Sequence, residues 1–230
     1  MYLKKILYTL IIALIPGLIW AGDTAVYADL GFSPDGKIYM FAQHGVLSGT
    51  LKPWAELYVV DVARNNFVSG GRLSYTHDRA VTAGQDGSAA LYQLLAANAG
   101  IAEQYRINYL SLGHPLFLSV DGSSSPVQTI EFRDFDAAAS YRAVLRYTTE
   151  GSGANLNSSF SIDLEQTSRY GTRKSYTIGT PQLKRPGVAS YRVRRVIMSP
   201  LKDSIIFVIE MRIQSGSDIN IRYMVETVVL

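Results

Sequence analysis

The chain has 230 residues, a net charge of +3, three histidines and no cysteine. The lack of cysteine excludes disulfides, thiolate nucleophiles and cysteine-ligated zinc or iron–sulfur clusters. Lys4 and Lys5 belong to the targeting segment described next, so the remaining chain carries a net charge of only +1, which gives no general attraction to nucleic acid or anionic lipid.

The first 21 residues have the pattern of a secretory signal peptide. The lysine pair forms a positive n-region, Ile6 to Trp20 is an apolar run, and Ala21 is a small residue before a polar stretch. A retained membrane anchor is the alternative, but a bilayer span needs about 20 apolar residues, and this run is shorter, with Pro16-Gly17 near its end. We expect cleavage after Ala21, leaving residues 22–230 as a single domain in the periplasm or the medium.

The stretch from Leu30 to Val62 predicts three antiparallel strands. Ser33-Pro34-Asp35-Gly36 is typical of a tight hairpin turn, because proline presets φ and glycine permits a left-handed backbone. The β-rich runs Ile38-Tyr39-Met40-Phe41 and Glu56-Leu57-Tyr58-Val59-Val60-Asp61-Val62 follow it. Asn65-Asn66 predicts a turn, and Phe67-Val68 a short fourth strand.

These four strands resemble one blade of the TolB-type propeller repeat, in which a hydrophobic run, Ser-Pro-Asp-Gly, a second hydrophobic run and a strand like Glu56–Val62 follow one another. The likeness covers about 40 residues. The C-terminal end has a similar order around a Ser199-Pro200 turn. Since the middle of the chain lacks the propeller period of about 40 to 50 residues, the resemblance implies two blade-like ends around a divergent β middle.

One helix is predicted near residues 88–99, after a predicted loop over residues 74–87. Leucines and an asparagine recur there at helical spacing, Asp86 or Ser88 is placed to cap the first turn, and Gly100 is placed at the C-cap.

The remaining chain alternates apolar and polar residues with a period of two, which indicates strands with one buried face. We predict a mainly β fold, with antiparallel meanders packed as a sandwich-like or partial propeller-like domain. The predicted strands lie at 116–120, 130–133, 141–147, 160–164, 176–178, 191–198, 205–209 and 221–229.

The sequence contains no complete catalytic motif: it has no Gly-x-Ser-x-Gly, no His-Glu-x-x-His, no phosphate loop and no dinucleotide fingerprint. His44, His77 and His114 are isolated in predicted loops, where we expect solvated or structural roles rather than metal or acid–base roles. We expect no cofactor.

Asp134 and Asp136 are the candidate metal ligands. On an extended chain they project to one face, where two carboxylates suit Ca²⁺ or acid–base chemistry. The alternative is a strand end where aspartate accepts turn amides, and it is favoured because Ca²⁺ needs six or more oxygens.

Arg192, Arg194 and Trp54 are the candidate contact residues. In a strand the two arginines share one face, while Arg195 lies on the other with Tyr191; a solvated face with one internal ion pair is the alternative to an anion site. Trp54 follows a proline in a predicted loop, where an exposed ring can contact a partner.

Over the mature chain the sequence also resembles a bacterial family of predicted secreted proteins of unknown function. The resemblance implies export and a shared fold, and it carries no activity. The residues that carry it are Leu30 to Val46, Ala55 to Val62, Glu131 to Phe135, Gly151 to Gly153, Ser158 to Glu165, Tyr191 to Val196 and Asn220 to Leu230.

From these observations we expect an exported, non-catalytic binding module that contacts an envelope or periplasmic protein through a strand edge or a loop rim. One alternative is an envelope hydrolase or metal-dependent enzyme that uses Asp134, Asp136 and a histidine. Another is a glycan-binding protein that uses Trp54 and the basic stretch. No nucleic-acid partner is expected, and no membrane contact after signal cleavage.

Overall fold

The computed structural model describes residues 22–82, 84–120, 125–216 and 218–230. The predicted signal peptide lies outside these residues. Within them the chain is mainly β, and its strands form three antiparallel sheets, which we call the N-terminal, middle and C-terminal sheets.

The N-terminal sheet confirms the predicted hairpin. The Gly36 amide donates to the Ser33 carbonyl at 2.9 Å, and Gly36 has a φ of +69°, which glycine adopts without strain. The predicted fourth strand, Phe67-Val68, is too short. The strand continues beyond it, and its residues Leu73 and Tyr75 pack in the hydrophobic cluster on the outer face of the sheet. The strands follow chain order: β1 (Val26–Phe32), β2 (Ile38–Val46), β3 (Pro53–Asp61) and β4 (Asn66–Thr76).

Two helices, α1 (Ser88–Ala97) and α2 (Ala99–Gln104), cover the outer face of the N-terminal sheet. Leu91 and Leu94 of α1 pack there against residues of β2 and β3. The predicted helix and its start are confirmed: Gly87 occupies the N-cap position, and Oδ1 of Asp86 accepts the Ser88 amide at 3.0 Å. The predicted C-cap is wrong, because Gly100 lies inside α2.

The middle sheet contains the predicted strands of the divergent region. Its strands β6, β7 and β8 form a meander, and both β9 and β10 pair with the far side of β8. A 3₁₀ turn (Gly153–Asn155) joins β7 to β8. The bounds are β6 (Val127–Asp134), β7 (Ala139–Glu150), β8 (Asn157–Thr167), β9 (Arg173–Ile178) and β10 (Arg185–Pro186).

The C-terminal sheet pairs the last three strands with β5, which comes from the region after the helices. Its order is β13-β12-β11-β5, and all three pairings are antiparallel. The bounds are β5 (His114–Leu118), β11 (Val188–Met198), β12 (Ser204–Ser215) and β13 (Asp218–Val229).

The C-terminal sheet is the central layer of the domain, because β12 is buried on both faces. Ile205, Phe207 and Ile209 face the core shared with the middle sheet, whereas Ile206 and Val208 face the core shared with the N-terminal sheet. All five side chains are at most 1% exposed. The sandwich-like packing is therefore confirmed, with two sheet–sheet interfaces instead of one.

The outer edge of β13 is hydrogen-bonded to the N-terminal part of the chain. The amide of Tyr223 donates to Oε1 of Gln43 at 2.7 Å, and the amide of Thr227 donates to Oδ1 of Asn65 at 2.7 Å. The amide of Ile221 donates to the carbonyl of Asp23 at 2.9 Å. Because unpaired strand edges invite pairing with other chains, these bonds protect β13 and also join two sheets.

Phe207→Ala should lower the free energy of unfolding by about 3 to 5 kcal/mol, because it opens a cavity in the core between the C-terminal and middle sheets. The measurement is urea unfolding of the purified protein. Phe135→Ala removes the same ring from a site that is 82% exposed and should change stability by less than about 0.5 kcal/mol. Equal losses from the two variants would contradict the layered core.

Gln43→Leu should cost about 1 to 3 kcal/mol while keeping a similar volume, since it leaves the partly buried Tyr223 amide without its acceptor and Oε2 of Glu56 without the Gln43 donor. The matched control is Gln93→Leu, at an exposed position of α1, which should be near neutral. A Gln43→Leu protein as stable as the control in urea unfolding would show that the edge bonds contribute little.

Candidate functional site

A cleft of about 400 Å³ lies where the three sheets meet, and we call it the three-sheet cleft. One wall comes from the end of β3 and the turn into β4, a second from the connection that leads from β9 into β10, and a third from β13. The volume is within the range of small-ligand and peptide side-chain sites. The lining residues used below are Arg64, Asn66, Phe67, Leu183, Arg185 and Glu226.

A largely buried ion pair forms one part of this cleft. Nη2 of Arg185 lies 3.4 Å from Oε1 of Glu226, and their side chains are 16% and 6% exposed. The guanidinium also lies over the ring of Phe160, with 4.8 Å from its central carbon to the ring centroid. Burial raises the pKa of Glu226, and the contacts with Asn65 and Arg185 oppose that rise.

Asn65 connects the fold to this ion pair. It has a φ of +49°, a left-handed conformation that asparagine tolerates better than most residues, and it ends the turn before β4, as the Asn-Asn pair predicts. Its Oδ1 accepts the Thr227 amide, while its Nδ2 donates to Oε2 of Glu226. One side chain therefore fixes the turn on β13 and orients the buried carboxylate.

The rim of the three-sheet cleft is mixed in character. Phe67 and Leu183 are both partly exposed apolar side chains, at 39% and 51%. The Arg64 side chain is mostly solvent-exposed, and its Nε lies 3.7 Å from Oδ2 of Asp61. Such a surface pair is weak, so Arg64 is available to a ligand. The cleft thus combines two arginines, the Glu226 carboxylate, two asparagine side chains and two partly exposed apolar side chains.

Sequence reasoning missed Asn65 as a site residue, and it missed Arg185 and Glu226 altogether. Glu226 is 161 positions from Asn65 and 41 from Arg185 along the chain. No local motif connects the three. Only the docking of the β3–β4 turn and of β10 against β13 brings them together.

Trp54 is not in a loop, so that prediction is wrong. It lies within β3, opposite Gly45 of β2, and is 4% exposed. The guanidinium of Arg222 covers the ring at 4.1 Å, and Arg222 is itself held by both carboxylate oxygens of Asp23 at 2.8 Å. The ring therefore packs inside the sandwich and is not displayed on a rim.

Arg192 and Arg194 bind groups of the protein itself. Nη2 of Arg192 donates to Oε2 of Glu210 at 2.7 Å, and both side chains are buried. Arg194 donates to the carbonyl of Ser119. The expected internal ion pair thus forms at Arg192, which lies opposite Glu210 of β12. It does not form at Arg195, which follows a bulge in β11 and lies over the ring of Tyr27. A contact role for the two arginines stays a prediction.

Asp134 is the last residue of β6, and Asp136 lies in the turn that follows. Oδ1 of Asp134 accepts the amides of Asp136 and Ala137 at 2.9 and 3.1 Å, which is the turn role given above as the alternative. Asp136 is exposed, and its hydrogen bond to Lys202, at 2.9 Å, lowers its pKa, helped by the charge of His114. In the described ranges no group of three or more histidine, aspartate or glutamate side chains is placed to hold a metal ion.

His44 and His114 lie in strands, so their predicted loop positions are wrong. His114 begins β5 and is exposed. His44 belongs to β2 and is buried beneath the start of α1, where the backbone of Gly87 touches that of Gly45. Burial lowers the pKa of His44, and Asp86 opposes that shift. His77 is partly exposed, and its Nδ1 accepts the Arg79 amide at 3.0 Å.

Comparison with known proteins gives one match. A family model described as "Predicted secreted protein (DUF2259)" matches residues 40–229. No curated protein and no solved structure matches the chain. Separately, none of the helices in the described ranges is long and apolar enough to cross a membrane.

We expect the protein to lose stability as the pH falls below about 6.5, partly through His44. The folded pKa of His44 is lowered, so on acidification the unfolded chain binds the proton first, and protonation favours unfolding between the two pKa values. Urea unfolding at a series of pH values between about 5 and 8 measures this. His44→Gln should flatten the dependence and the partly exposed His77→Gln should not; identical slopes in both variants would contradict the assignment.

Proposed function

Because the chain belongs to the family of predicted secreted proteins (DUF2259), we propose that it acts after export as a non-catalytic binding module whose contact site is the three-sheet cleft. The signal peptide predicted in residues 1–21 supplies the export route, and its removal leaves the protein in the periplasm or the medium. The expected partner is another envelope or periplasmic protein.

The observation that carries this proposal is the construction of the three-sheet cleft. Its three walls come from three different sheets, and each sheet is fixed by one of the two sheet–sheet cores. A site on rigid strands and short turns loses little conformational entropy on binding, which favours affinity. The mixture of apolar rim and buried charge is typical of a recognition site.

An extended polypeptide segment is the kind of partner that fits this position. β4 is the outermost strand of the N-terminal sheet and begins with Asn66 and Phe67, which line the cleft. A segment that enters the cleft can therefore continue beside β4, where edge groups can accept backbone hydrogen bonds. The positive φ of Gly70, next to Gly71, accompanies a break in the register of β4 with β3, so such pairing is expected to be short.

The other hypotheses have weaker support. The envelope hydrolase hypothesis uses Asp134, Asp136 and a histidine: Oδ1 of Asp134 accepts two turn amides, and of the histidines His114 acts on the Asp136 carboxyl through its charge. The glycan hypothesis needs an exposed aromatic ring on which a sugar can stack, and Trp54 is buried. The TolB-type likeness stays a prediction, and the four-stranded meander of the N-terminal sheet is compatible with it.

Site-specific photocrosslinking in cells tests the proposal. A photoreactive amino acid at Leu183, on the cleft rim, should capture one or two defined envelope proteins. The matched control position is Tyr170, which is exposed in the turn between β8 and β9, outside the cleft, and should capture none of them. No product at Leu183, or the same products at both positions, would refute a partner in the cleft.

A further inference from the structure

The positive charge of Arg185 is only partly compensated. Its Nη2 lies 3.4 Å from Oε1 of Glu226, longer than the 2.7 to 2.9 Å usual for charge-assisted hydrogen bonds. Its Nη1 is buried and has no hydrogen-bond partner within the described part of the chain. A buried donor without an acceptor costs free energy, so the guanidinium gains from any anionic oxygen that can reach it.

Glu226 is a replaceable partner for that cation. Its two oxygens serve different donors, because Oε1 faces Arg185 and Oε2 accepts from Asn65. Burial favours the neutral form of Glu226. A neutral carboxyl can still accept the hydrogen bond from Asn65, but it loses the charge–charge attraction to Arg185. The other ionisable groups near the pair are Arg64, which lines the same cleft, and Tyr191, whose raised pKa is opposed by the charge of Arg185 and by a side-chain hydrogen bond with it.

The rim adds an apolar requirement and a second cation. Phe67 and Leu183 present apolar surface to the cleft, and Arg64 is held only weakly by Asp61. A ligand that satisfies all these groups carries a carboxylate close to an apolar side chain. Charge complementarity therefore selects an acidic segment over a basic one.

We propose that the three-sheet cleft binds an acidic polypeptide segment, whose carboxylate replaces Glu226 on Arg185 and whose apolar side chain packs on Phe67 and Leu183. This inference rests on the proposed function, since it names the ligand chemistry for the same site. When the ligand carboxylate binds, Glu226 takes up one proton from solvent, so the two buried carboxyls and the guanidinium keep one negative and one positive charge. Binding is thus linked to proton uptake.

The test uses protein purified from the periplasm after expression of the full chain, and a fluorescein-labelled peptide of alternating leucine and glutamate. Fluorescence anisotropy should show that affinity rises as the pH falls from about 8 to about 6, by up to tenfold per pH unit, because binding is linked to the uptake of one proton at Glu226. Glu226→Gln should bind at least tenfold more tightly than the wild type at pH 8, with no pH dependence over this range. The peptide with glutamine in place of glutamate should bind at least tenfold more weakly.

Arg185→Gln should weaken binding at least tenfold, provided that its melting temperature shows a folded protein. Arg64→Gln changes an exposed side chain, so it keeps the fold, and it should weaken binding about threefold. Arg173→Gln removes an exposed arginine of β9 outside the cleft and should leave affinity unchanged.

Equal binding of the glutamate and glutamine peptides would overturn the inference, as would wild-type affinity in both Arg185→Gln and Arg64→Gln. Absence of peptide binding by both the wild type and Glu226→Gln would also overturn it. If Leu183 still captures a partner in cells in that case, the proposed function stands and only the acidic ligand is wrong. If crosslinking at Leu183 also yields no partner, both the proposed function and the acidic ligand are refuted.

Discussion

The burial of β12 on both faces is the constraint on which the rest of the structure depends. Five consecutive side chains, from Ile205 to Ile209, alternate between two cores, so neither neighbouring sheet can be removed without exposing part of this strand. A strand buried on one face alternates apolar and polar residues, whereas this run of five is apolar throughout. The N-terminal and middle sheets do not pack on each other in these cores; each is held by the C-terminal sheet.

The position of the three-sheet cleft follows from this arrangement. β13 is an edge strand of the central sheet. Its backbone amides at Tyr223 and Thr227 donate hydrogen bonds to the side chains of Gln43 and Asn65, in the N-terminal part of the chain. Asn65 then donates a hydrogen bond to Glu226, and the other carboxylate oxygen of Glu226 faces Arg185, which belongs to β10 of the middle sheet. The same contacts that join the sheets therefore also place the charged groups of the cleft.

Most of the fold could be predicted because its signals are local. Period-two alternation located the strands, and the Ser-Pro-Asp-Gly turn fixed the first hairpin. Trp54 was misplaced because Pro53 suggested a loop, although proline is allowed as the first residue of a strand. The cleft could not be predicted, since alternation shows which face of a strand is buried and not which sheets meet. Arg185 and Glu226 had no sequence pattern that joined them.

Native-state hydrogen exchange of the exported protein, resolved by residue, tests the central claim most directly. If β12 holds both cores, the amides of Ile206 and Phe207 should exchange only through global unfolding, with the free energy found by urea unfolding, and the slowest amides of β2 and β7 should share that value. Exchange of β12 at a clearly lower free energy, or separate opening of the N-terminal sheet while the rest stays protected, would contradict the account.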